Sequence, residues 1–90
     1  MTFMTLLRYT AEGASSISGE RTKKLEQLLK ELGGKLMGGY GLLGHWDAAL
    51  FYELPDATAG MKAAVRIAKL TQARTETMAA MPLAEFDKLF

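Results

Sequence analysis

The chain contains no cysteine. That excludes a disulfide framework, a thiolate nucleophile, an iron–sulfur cluster and a Cys-ligated zinc site. It contains one histidine, His45, so a multi-histidine metal site cannot form within one copy. No metal and no other cofactor are expected. Long apolar runs are missing as well. The longest is Ala48 to Tyr52, against the about 20 residues a membrane-spanning helix needs. The opening Met1-Thr2-Phe3-Met4-Thr5 has no basic leader and no extended apolar stretch, unlike a signal peptide. A cytoplasmic protein without membrane contact is the expectation. Nor is there an excess of one charge: 11 Lys and Arg stand against 10 Asp and Glu, a net charge of +1. A nucleic-acid partner is therefore not expected, since such partners select for concentrated positive charge.

What is present is apolar. Hydrophobic residues make up 49% of 90 residues, and the whole length, 1–90, reads as one domain. A chain this short hides only roughly 60–65% of its unfolded surface on folding. Without a cross-link, that composition implies either a dense core or apolar surface buried against another copy.

Thr2 to Tyr9 has the alternation of a strand. Phe3, Thr5, Leu7 and Tyr9 share one face, and Met4, Leu6 and Arg8 the other. Both sets are largely apolar, so cover is expected on both sides. Thr10 to Gly19 is rich in Ser, Ala and Gly and predicts a turn or short irregular helix. Ser18 is placed to cap the helix that follows. In that helix Leu25, Leu28, Leu29 and Leu32 form a half-buried stripe, and Gly33-Gly34 end it. Glu20–Lys24 and Glu26–Lys30 are favourable i, i+4 pairs.

Lys35 to Leu43 reads as a second strand, with glycines at 38, 39 and 41 that mark a bulge or a close approach. Leu43 to Asp47 turns into a third strand, Asp47 to Leu54. Asp56 caps a second helix, whose core face is assigned to Met61, Ala64, Val65 and Ala68. Gln72 to Ala80 is the fourth strand. Pro82 opens a short helix whose Leu83, Phe86 and Leu89 or Phe90 are expected to pack back. The order strand, helix, strand, strand, helix, strand predicts an α+β, ferredoxin-like βαββαβ sheet of order 4-1-3-2. Both helices then cover one face. The other face predicts a homodimer or higher oligomer whose sheets pack into a dimeric α/β barrel.

The segments Gly33-Gly34-Lys35-Leu36, Leu43-Gly44-His45-Trp46-Asp47, Glu53-x-Pro55-Asp56 and Arg74-Thr75-Glu76-Thr77 resemble the GYD-domain family of small prokaryotic proteins. The opening Leu6-Leu7-Arg8-Tyr9-Thr10-x-x-Gly13 is similar too, so the resemblance runs over nearly the whole chain. Trp46 stands where the family's namesake motif has tyrosine, which keeps the aromatic ring and loses the phenolic hydroxyl. The resemblance implies a ferredoxin-like fold and self-assembly, and supplies no activity. By fold alone, dimeric α/β barrels include cofactor-free monooxygenases, isomerases, haem-degrading enzymes and ligand-sensing domains.

Several residues could carry chemistry, each with a plainer alternative. His45 and Asp47 could shuttle protons, or His45 could be an exposed turn residue while Asp47 accepts backbone amides in the turn. Tyr40 and Trp46 could wall a planar ligand beside the three glycines, or fill a core or an interface. Arg8 and Arg74 could clamp an anionic substrate with Glu76 as base, or form a salt-bridge network with it. Lys62, Arg66 and Lys69 make a basic stripe without matching acids, best read as a solvated face. Met4, Met37, Met61 and Met78 sit at core-pattern positions. No phosphate loop, nucleophile elbow or metal motif occurs. The reading favoured is a homo-oligomeric module that binds a small molecule or assembles without turnover. The alternative is a cofactor-independent monooxygenase- or isomerase-type enzyme for a small aromatic or anionic substrate. Its acid–base candidates would be His45, Asp47 and Glu76, with Tyr40, Trp46, Arg8 and Arg74 as binding groups.

Overall fold

The two interleaved apolar sets of the first segment form strand β1 (Thr2–Tyr9), an inner strand of a four-stranded sheet. The computed structural model describes residues 1–90. After β1 come α1 (Ala11–Ser15), α2 (Gly19–Glu31), β2 (Lys35–Gly41), β3 (Ala48–Glu53), α3 (Ala57–Thr71), β4 (Ala73–Ala80) and α4 (Leu83–Asp87). The strand order is β2-β3-β1-β4 and every pair is antiparallel. This is the expected ferredoxin-like α+β sheet.

Local chemistry sets the boundaries. The Ser18 hydroxyl accepts from the Arg21 amide and starts α2, and the Asp56 carboxylate accepts from the Ala59 amide and starts α3. At the end of α2, Gly33 takes φ +86°. Its amide bonds the Lys30 carbonyl at 3.0 Å, and the Gly34 amide bonds the Leu29 carbonyl at 2.9 Å. This is the paired closure that a left-handed glycine allows. The glycine-rich strand carries the expected irregularity: the register with β3 shifts between Leu36 and Gly38. Strand β2 ends at Gly41 rather than Leu43, and β4 begins at Ala73 because Gln72 takes a left-handed conformation that ends α3.

The core lies between the sheet and the two long helices. Phe3, Leu7, Ala48, Tyr52 and Leu54 from the sheet side meet Leu25, Leu28 and Leu29 of α2 and Ala59, Ala63 and Ile67 of α3. The rings of Phe3 and Tyr52 stack with centroids 5.9 Å apart. Gly60 sets the depth of α3, since a Cβ there would lie 2.5 Å from the Phe3 ring. The most buried polar groups form a chain. The hydroxyl of Thr5 is 2.7 Å from that of Tyr52 and 2.8 Å from that of Thr77. One threonine on β1 thus ties β3 to β4 and satisfies a tyrosine hydroxyl out of reach of water.

Three expectations are corrected. The stripe Met61, Ala64, Val65, Ala68 does not face the core: Met61 is 73% exposed and Val65 55%. The helix instead turns Ala59, Gly60, Ala63, Ile67 and Thr71 inward. Helix α3 has two adjacent apolar stripes, and the large rings of Phe3 and Tyr52 select the one with small residues. Helix α4 buries nothing: Leu83 is 74% exposed and Phe90 95%. Five residues span only about 7.5 Å, and Phe86 and Phe90 meet each other instead, centroids 5.3 Å apart. The basic stripe is not wholly without acids either. Arg66 bonds Glu31 of α2 at 2.8 Å, and this hydrogen bond and charge hold the Glu31 carboxyl below its usual range.

The second face of the sheet has no helix over it. Register places Arg8, Leu6, Met4 and Thr2 of β1 there, beside Ala49, Phe51 and Glu53 of β3 and Arg74, Glu76, Met78 and Ala80 of β4. Tyr40 joins them at the β2 edge, its ring edge-on to Phe51 at 6.3 Å.

Removal of the shared hydroxyl tests the core reading. Thr5→Val strands the hydroxyls of both Tyr52 and Thr77, and urea unfolding should show a loss of about 1–3 kcal/mol. Tyr52→Phe removes one hydrogen bond and leaves Thr5 on Thr77, so its cost should be smaller, about 0.5–1.5 kcal/mol. Equal losses would mean that Thr5 is not the hub.

Candidate functional site

The loop from Leu42 to Asp47 joins β2 to β3 and is pinned at its end. The Asp47 amide donates to the Leu7 carbonyl at 2.8 Å, and the Leu42 amide donates to the Asp47 carbonyl at 2.8 Å. The Asp47 side chain turns to β1, where Oδ2 accepts from the Tyr9 amide at 2.8 Å. One residue thus extends the β1–β3 ladder beyond its last registered pair. The carboxylate supplies an acceptor for a strand-end amide that would otherwise have none.

His45 does not join Asp47. Its ring lies on Arg8, with Nδ1 3.1 Å from the guanidinium Nη1. Trp46 stands edge-on to the imidazole, centroids 5.3 Å apart. Arg8 sits directly opposite Arg74 across the β1–β4 pair, and Glu76 one pair further along the same face, opposite Leu6. None of the three has an ion-pair partner within the chain; the side-chain ion pair in the fold is Arg66–Glu31. The structure therefore gathers Arg8, Arg74, Glu76, His45 and Trp46 at one end of the open face, with two arginines in a like-charge pairing that the sheet itself does not favour. Tyr40 lies on the same face at the β2 edge, against Phe51, and Asp47 belongs elsewhere.

That second place is a cleft on the helix side of the sheet, about 360 Å³ in volume. It opens between the glycine-rich end of β2, the start of β3 and the start of α2. Leu7, Leu25, Leu36, Ala48 and Leu50 form its apolar floor, and Tyr9, Ile17 and the Gly39–Gly41 segment of β2 stand around it. Gly39 and Gly41 form part of the wall, and at Gly41 a Cβ would meet no atom within 4 Å. The room expected from the glycines exists, but the Tyr40 ring turns to Phe51 on the open face and Trp46 does not line the cleft, so the two aromatics do not wall it.

Arg21 is the cleft residue that sequence reasoning missed. Its Nη1 donates to the Gly13 carbonyl at 2.7 Å and to the Thr71 carbonyl at 3.4 Å, and the guanidinium lies over the Tyr9 ring, 5.0 Å from its centroid. Those partners are distant in sequence, so neither motif nor periodicity marks it. Three or more His, Cys, Asp or Glu side chains are nowhere grouped as metal ligands would be.

Compared with known proteins, residues 3–90 match the GYD domain. The chain belongs to the GYD family. Among curated relatives, this GYD chain is 30% identical over 87 residues to the "Glutamine synthetase and cystathionine beta-lyase binding protein" of Thermus thermophilus, covering 93% of this chain and 92% of that protein. Among solved structures it is similar to an AsnC family transcriptional regulator from Agrobacterium tumefaciens, with a TM-score of 0.57 and 22% identity over 90% of this chain. The chain spans half of that regulator's chain, and the likeness is one of fold.

The loop anchor gives a second prediction. Asp47→Ala leaves the Tyr9 amide without its acceptor and should cost about 1–3 kcal/mol. Asp47→Asn keeps an oxygen there and should cost less. Thermal unfolding of both variants checks the order; an unchanged midpoint in Asp47→Ala would remove the anchoring role.

Proposed function

We propose that this GYD protein is an assembly module without turnover of its own. It pairs with a second copy through the open sheet face and binds a metabolic enzyme with the rest of its surface. The observation that carries the reading is the name of the Thermus relative, a protein that binds two enzymes and matches this chain over nearly its full length. The uncovered apolar face adds to it. Eight residues at about 3.3 Å and four strands at about 4.8 Å make a face of roughly 500 Å² per copy. Two such faces approach the about 1,000 Å² a specific interface needs. A second copy fits because the surface is its own complement under a two-fold axis, apolar in its middle and charged at its end. The enzymatic alternative would need His45, Asp47 and Glu76 to converge on one substrate. Here Asp47 holds a backbone amide on the other side of the sheet, and His45 rests on Arg8 on the face that carries Glu76, so the three do not converge.

Capture of purified enzymes tests the proposal. The immobilised chain, challenged with glutamine synthetase and with cystathionine beta-lyase from its own source cell, should retain at least one with a dissociation constant of about 10 μM or tighter. Retention of neither would overturn the assembly reading.

A further inference from the structure

We propose that the cleft between β2, β3 and α2 binds a small zwitterion with an aliphatic tail, a free α-amino acid of the leucine, valine or methionine type. The inference goes beyond the assembly reading and does not rest on it.

The two charges of the cleft carry the argument. Arg21 and Asp47 both line it, and they do not pair with each other, although both lie in one half-enclosed space. Each is held back by other bonds. Arg21 is fixed through Nη1 by the Gly13 and Thr71 carbonyls and by its place over the Tyr9 ring. Its Nε and Nη2 hydrogens have no protein acceptor, out of the five donors a guanidinium carries. Asp47 is fixed through Oδ2 by the Tyr9 amide, and its Oδ1 has no protein donor. Fixed, opposite charges with spare hydrogen-bonding capacity suit a ligand that brings a carboxylate to one and an ammonium to the other.

The apolar floor selects the tail, although Ser18, Thr22 and Thr71 also line the cleft. Leu7, Leu25, Leu36 and Leu50 offer no polar side-chain atom, and about 360 Å³ is within the range of small-ligand cavities. A simple carboxylate would face Asp47 as well as Arg21, and a simple amine would face Arg21 as well as Asp47. A neutral apolar molecule would desolvate both charges and pair neither. The zwitterion alone answers both. The cleft is on the helix side, so a second copy on the open face leaves it accessible.

The probes are L-leucine, L-valine and L-methionine, with 4-methylpentanoate and 3-methylbutylamine as leucine analogues that lack one charge, and glycine as the zwitterion without a tail. Titration is followed by amide NMR shifts of the unmodified protein at Leu25, Leu36 and Ala48. At least one of the three amino acids should bind, and more tightly than glycine and either analogue by about tenfold or more. Arg21→Met should weaken that amino acid by about tenfold while it spares 3-methylbutylamine. Asp47→Asn should do the same while it spares 4-methylpentanoate. An unfolded variant cannot produce that crossed pattern, and the unmodified protein decides the matter without either variant. No shift with any of the three amino acids at about 10 mM, or equal binding of a single-charge analogue, would overturn the proposal.

Discussion

Two long helices can cover one face of a four-stranded sheet, and this sheet is apolar on both. Strand β1 shows the constraint in its simplest form. Phe3, Thr5 and Leu7 are buried beneath α2 and α3, while Met4 and Leu6 on the reverse are only half-buried. A contiguous apolar patch left open on one copy is the kind of surface that marks an interaction site. The proposed second copy removes it from water without any change in the fold. Apolar burial contributes about 25 cal/mol per Å² before the cost of bringing two copies together is subtracted, so covering the reverse face would favour pairing.

The helix-covered face has its own consequence. Small residues at Ala59, Gly60 and Ala63 let α3 settle on the Phe3 ring. The glycines of β2 leave the opposite corner unfilled, and there the cleft opens between Arg21 and Asp47. Both side chains are fixed by backbone partners on neighbouring elements, so the charges are positioned before any ligand arrives. Preorganised polar groups above an apolar floor are the usual build of a small-molecule site. The open face carries the second polar cluster, Arg8, Arg74 and Glu76.

Much of the fold was legible because local rules and global pattern agree in most segments. Ser18, Asp56 and Gly33 marked helix ends by the groups they offer to free amides and carbonyls. The alternation in β1 marked a central strand, and the glycines at 38, 39 and 41 marked both a bulge and a space. The phase of α3 was not legible, since Met61/Val65 and Ala63/Ile67 are equally periodic and only the rings on the sheet distinguish them. The placement of α4 failed because apolar composition does not show whether a short helix can reach a surface. The candidate site was half legible. The glycines pointed toward the cleft, and Asp47 accepts a backbone amide, the plainer of its two readings, though from β1 rather than from within the turn. Arg21 gave no signal, because its partners Gly13, Thr71 and Tyr9 converge only through the tertiary fold.

The central claim, that the uncovered sheet face belongs to a second copy, meets its most direct test in a mass measurement. Light scattering on the eluting protein at tens of micromolar should give at least twice the 9.8 kDa of one chain, and Leu6→Glu together with Met78→Glu should return it to the single-chain mass with helix and strand content unchanged. A stable 9.8 kDa species from the unmodified protein would contradict the account.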